Sequence, residues 1–111
     1  MNYKIYYHLE SAREYLDVHN AEEQSDLSGL EQLLEKAVGD EDVISIYLPE
    51  SRNRIEIISN GSSWLILELH DSNVAGIYSK QFLRNSIDDL LAAIPKLAEN
   101  PESCEFSFAN W

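Results

Sequence analysis

The chain's 111 residues, 44% of them apolar and 25% charged, suffice for one domain with one core and leave no case for disorder. Twenty Asp and Glu against eight Lys and Arg give a net charge of −12, the reverse of the cationic surface that grips phosphate, which argues against nucleic-acid binding. No apolar run approaches the roughly 20 residues needed to span a bilayer, and anionic lipid would repel this charge.

The first element is Tyr3-Lys4-Ile5-Tyr6-Tyr7-His8-Leu9, whose alternation places Tyr3, Ile5, Tyr7 and Leu9 on one face of a strand. Residues 14–20 fit two descriptions. Tyr15-Leu16-Asp17-Val18-His19 reads as a returning hairpin strand, the reading favoured here, whereas Ala12, Tyr15, Leu16 and His19 also have helical spacing. Leu27, Leu30, Leu33, Leu34, Ala37 and Val38 then form one stripe at intervals of three and four, predicting an amphipathic helix that ends near Val38. Ser28 and Glu31 have capping-box spacing, Asp26 is a second possible cap, and Gly39 is a natural stop.

A meander of three strands follows, carrying Ile44, Ile46 and Leu48, then Ile55 and Ile57, then Leu65, Leu67 and Leu69 toward the core. Asn60-Gly61 between the last two supplies the positive φ that a hairpin turn requires. Val74–Tyr78 predicts a further short strand, and Ile87, Leu90, Leu91, Ile94, Leu97 and Ala98 predict a second helix starting at Ser86. Pro95 lies inside that pattern and is expected to kink the helix or end its first part. Cys104, Phe106 and Phe108 alternate as a last strand. The sum is a single α+β domain over residues 1–111, an antiparallel sheet of about six or seven strands with two amphipathic helices on one face.

Chemistry-bearing motifs are missing. The chain has no glycine-rich phosphate loop, CxxC, HExxH or GxSxG, and His8, His19, His70 and Cys104 show no metal-ligand spacing. Asp40-Glu41-Asp42 lacks the twelve-residue calcium-loop pattern. No catalytic residue, cofactor or metal is therefore expected, although carboxylate pairs are plentiful and a small carboxylate-site enzyme stays an alternative. The lone Cys104 cannot close an intramolecular disulfide, and Met1-Asn2-Tyr3-Lys4 lacks the apolar core of a signal peptide; both predict a reducing cytoplasm.

What is distinctive is where the acid sits. Residues 10–50 hold twelve carboxylates against Arg13 and Lys36, a net −10 of the chain's −12. Such a field resists compaction by self-repulsion and attracts basic partners, raising association rates by roughly 10 to 10³. Acidity can also serve solubility alone. A face bearing Tyr47, Arg54, Glu56, Trp64, Ile66, Glu68 and His70 has the composition of an interface, with Trp64 either an exposed anchor or a residue packed at its hairpin base. Candidate binding residues are Asp17, Glu22 and Glu23 before the first helix, Asp40, Glu41 and Asp42 after it, Tyr47 and Trp64 as aromatic anchors, and Glu50 and Asp71 at strand ends.

The order of elements, with Trp64-Leu65-Ile66-Leu67-Glu68-Leu69 in the meander and Pro101-Glu102-Ser103-Cys104-Glu105-Phe106-Ser107-Phe108 near the end, resembles the small acidic immunity proteins of bacterial polymorphic toxin and contact-dependent inhibition systems. It is most similar to the group that neutralises nucleic-acid-directed toxins, including DNA deaminases. The resemblance implies a stoichiometric inhibitor whose partner is the basic C-terminal domain of a cognate toxin, with no catalysis of its own. An acidic adaptor and a nucleic-acid mimic are the competing binding roles.

Overall fold

A computed structural model describes residues 2–50, 53–61, 63–69, 76–99 and 107–110, and of residues 65–69, 76–78 and 107–110 the backbone alone. The chain runs β1 (Tyr3–Leu9), β2 (Glu14–Leu16), β3 (Glu23–Gln24), α1 (Leu30–Lys36), β4 (Val43–Leu48), β5 (Asn53–Ser59), β6 (Ser63–Leu69), β7 (Gly76–Leu83), α2 (Ile87–Glu99) and β8 (Ser107–Asn110). The strands form one antiparallel sheet in the order β2-β1-β4-β5-β6-β7-β8, with the two-residue β3 also paired to β1. This is the expected α+β architecture, and residues 14–20 resolve as the short strand β2 followed by a turn.

Alternation explains the core. Tyr3, Ile5 and Leu9 of β1, Ile44, Ile46 and Leu48 of β4, and Ile55 and Ile57 of β5 all bury on one face, against Leu30 and Leu34 of α1 and Leu90, Ile94, Leu97 and Ala98 of α2. Each fully buried leucine or isoleucine among them contributes roughly 1.5–3 kcal/mol. The register keeps them in line, with Ile5 opposite Ile46 and Ile46 opposite Ile55. Both helices therefore cover one face and leave the other open.

Strand β6 corrects the expected phase. Asn60 and Ser63 flank a two-residue connection, Asn60 N donating to Ser63 O at 3.1 Å, and Gly61, unlike Asn60, takes a positive φ of 87°. An even connection sets Ser59 opposite Trp64, Ile57 opposite Ile66 and Ile55 opposite Glu68, so Leu65, Leu67 and Leu69 share a face with Ile58, Glu56 and Arg54. The expectation that these three leucines face the core fails: Trp64–Leu67 is apolar at every position, and the charge of Glu68 pointed to the wrong parity. An unbroken apolar run of four carries no alternation from which to read a phase.

Helix α1 is shorter than expected. Asp26 Oδ1 accepts both Ser28 N (3.0 Å) and Ser28 Oγ (2.7 Å), so the serine is engaged upstream and the Ser28–Glu31 capping box does not form. Gly29 stands at the N-cap with φ 90°, a conformation that L residues rarely adopt, and the helix starts one residue later. It stops at Lys36, where Ala37 leaves helical geometry and donates to Leu33 O at 3.0 Å. Helix α2 is entered through a 3-10 turn, Arg84–Ser86, and continues through Pro95 to Glu99. The helix persists beyond the proline because Leu97 and Ala98 are anchored in the core. β7 reaches five residues further than expected, to Leu83; of the proposed last strand, Phe108 lies in β8 while Cys104 and Phe106 lie outside the described residues.

Candidate functional site

The register divides the candidate acids into groups that the sequence had run together. Lys4 pairs with Glu23 on one side and Tyr47 on the other, and β4 ends one residue later at Leu48, so Glu22, Glu23 and Glu50 gather at one end of the sheet. At the opposite end the turn after β1, the turn before β4 and the β5–β6 hairpin converge, bringing Glu10, Glu14, Asp40 and Glu41 together. Asp17 lies between, on the edge next to β2. These groups are solvent-facing: of the twelve carboxylates in residues 10–50, ten are exposed, Glu14 is half-buried and Asp42 is buried.

Asp42 is the exception that removes itself from the surface. It is 0% exposed, and its carboxylate accepts Ser11 N at 3.0 Å, Gly39 N at 2.9 Å and the Ser11 hydroxyl. Burial pushes its pKa up, and the bonds from Ser11, Gly39 and Val38 outweigh burial and hold it below the ordinary carboxylate range. Its own backbone carbonyl accepts Ser59 N at 2.9 Å. Asp42 is a structural knot tying three turns, and its assignment to the binding surface is corrected.

Trp64 is corrected too. It is 2% exposed, set opposite Ser59 and Phe82, with the Arg84 guanidinium 4.2 Å above its ring centroid. Arg84 in turn donates Nη2 to Ser59 Oγ (2.6 Å) and Nε to Gly61 O (3.2 Å), stapling the hairpin. Of the two readings of Trp64, packing at the hairpin base is the one realised. Tyr47 does lie on the open face, half-buried between Lys4 and Arg54, the latter ion-paired to Glu56 at 2.9 Å. His70, Asp71 and Cys104 lie outside the described residues.

On the open face at the β2-β1-β4 edge the structure forms a groove of about 520 Å³. Tyr6, His8 and Ser45 line it from β1 and β4, Tyr15 from β2, and Asp17 and Asn20 from the turn that follows. The rings of His8 and Tyr15 lie 4.6 Å apart at 50°. Glu10 braces both: its Oε1 is 2.6 Å from His8 Nε2, and its Oε2 accepts the Tyr15 hydroxyl at 3.3 Å. Partial desolvation, then the Glu10 carboxylate, raise the Tyr15 pKa against the opposing influence of Arg13. Of the residues that line the groove, the sequence reading named Asp17 as a candidate and did not name Tyr6, His8, Tyr15 or Asn20. The signal available was the tyrosine density of residues 3–15, which alternation had assigned entirely to strand formation.

Among the described residues no group of three or more His, Cys, Asp or Glu is placed to hold a metal ion, and no helix is long and apolar enough to cross a membrane. Comparison of the chain with protein-family models, with curated proteins and with solved structures gives no match.

Proposed function

We propose that this chain is an immunity protein, a stoichiometric inhibitor that binds the basic surface of a cognate bacterial toxin directed at nucleic acid. The observation that carries the reading is the placement of the acid. Ten of the twelve carboxylates between residues 10 and 50 remain exposed, and Lys36, ion-paired to Glu14 at 2.9 Å, is one of only two cations in that stretch. A folded domain that keeps so one-sided a charge bears a self-repulsion that a basic partner relieves. A toxin that grips DNA or RNA needs a cationic groove, and an acidic surface fills such a groove by charge and bulk while excluding substrate. The layout of the elements supports the same reading. Function then requires binding and no chemistry by this chain.

The test is genetic and biochemical together. The C-terminal region encoded by the reading frame immediately upstream is expressed with and without this protein, and survival and complex formation are measured. The proposal expects the region to kill cells alone, and this protein to restore growth and co-purify with it in a 1:1 complex. A harmless region that does not bind removes immunity to that neighbour. Equal binding to unrelated cationic proteins supports a nucleic-acid mimic instead.

A further inference from the structure

The groove between the two acidic ends has a chemistry that net charge does not capture. We propose that it is a socket for one arginine side chain of the basic partner, so that recognition is anchored at Tyr15 and Asp17 while the acidic ends steer the approach. This rests on the reading that the partner is a basic protein. The volume, about 520 Å³, lies in the range of roughly 300–1,000 Å³ typical of small-molecule clefts, so the open groove has ample room for an arginine side chain. Tyr15 is 52% exposed, yet it is held by the His8 ring and by its hydrogen bond to Glu10, so its face is offered with little rotamer freedom left to lose.

A planar, weakly hydrated guanidinium stacks on such a face and donates sideways in a fork. Asp17 is exposed and lines the groove; its backbone carbonyl accepts Asn20 N at 3.0 Å and Ala21 N at 3.1 Å, while its carboxylate has no hydrogen-bond or ion-pair partner among the described residues and is an acceptor for that fork, with the Asn20 side-chain carbonyl a second. A lysine ammonium is a compact, strongly hydrated point charge and matches the flat wall less well. Among the described residues, Arg13 on the exposed β1–β2 turn is a cation near Tyr15, and Glu10 and Asp42 oppose its influence there.

The probe is the tripeptide acetyl-Gly-Arg-Gly-amide, titrated at low salt into isotopically labelled protein and followed by aromatic and amide NMR shifts. Its lysine and citrulline analogues are run in parallel. Saturable shifts should concentrate on Tyr6, His8, Tyr15 and Asn20, with weaker binding of the lysine peptide and none of the uncharged citrulline peptide. Tyr15→Ser should weaken the arginine peptide by about two- to five-fold, as expected for loss of one exposed cation–π contact, while Tyr15→Phe keeps the ring and its contact with His8, loses the bond to Glu10, and should weaken the peptide less than Tyr15→Ser does. Asp17→Asn should weaken it similarly; both positions are exposed, so folding is preserved. Shifts spread evenly over the acidic ends, equal binding of citrulline, or no saturation at the groove overturns the socket. If the peptide fails while the protein still protects cells, the socket falls and the immunity reading stands. If the peptide binds and no toxin is neutralised, the reverse holds.

Discussion

Replacing Asp42 by asparagine keeps one acceptor oxygen and deletes the charge that the Ser11 and Gly39 donors stabilise. With a buried amide facing donors meant for a carboxylate, the variant should lose about 2 kcal/mol at pH 7. The sign of the pH dependence follows from the shift. The folded-state pKa lies below the ordinary 3.8, so the contribution is complete above that value and disappears as pH falls through the depressed one. The stability gap between wild type and Asp42→Asn, read by urea unfolding, should therefore narrow below about pH 4. A gap that widens in acid contradicts the role assigned to Asp42. Nothing in Asp40-Glu41-Asp42 distinguishes the third acid from the first two, because its donors come from Ser11 and Gly39 and appear only once the turns meet. Asp17, by contrast, is exposed, as a lone carboxylate between Leu16 and Val18 in a turn can be.

At the scale of elements, α1 has seven residues, too few to be stable as an isolated helix. Its order comes from Leu30 and Leu34, both fully buried. Leu34→Ala should cost about 3 kcal/mol, whereas Glu35→Ala, on the exposed side, should stay within about 0.5 kcal/mol; thermal unfolding of the two variants checks the contrast. Equal losses would mean that α1 is held by its own propensity and not by packing. The strands β1, β4 and β5 were legible because one parity is apolar and the other carries Lys4, Ser45, Arg54 and Glu56. For β6 the run Trp64–Leu67 is apolar at every position, and its phase is set by the register across the β5–β6 hairpin, which the sequence offers only as a choice among loop lengths. The short β3 escaped notice because Glu23-Gln24 is ordered by pairing with Tyr3 and Lys4, not by any apolar pattern of its own. The shortened start of α1 has a local cause, since Asp26 and Glu31 both lie within reach of Ser28 in sequence and Asp26 takes its hydroxyl.

For the whole molecule, the sheet turns a single acidic stretch of sequence into two charged ends with a tyrosine-lined groove between them. Linear order suggested patches before and after α1. Antiparallel pairing places Glu22 and Glu23 beside Glu50, and Asp40 and Glu41 beside the turn after β1, a regrouping that depends on long-range register and so was out of reach of local pattern. The surface acids act over distance, and the Debye length shrinks from about 30 Å at 0.01 M salt to about 8 Å at 0.15 M. Steering should fade over the same interval. The decisive measurement is the association rate with the cognate toxin region, by stopped flow from 0.01 to 0.15 M salt, for wild type and for a variant carrying Glu22→Gln, Glu23→Gln, Asp40→Asn and Glu41→Gln. The account predicts a wild-type rate that falls at least tenfold across the series and a variant that starts slower and depends less on salt. A wild-type rate indifferent to salt and equal to that of the variant would contradict it, leaving the acidity to solubility alone.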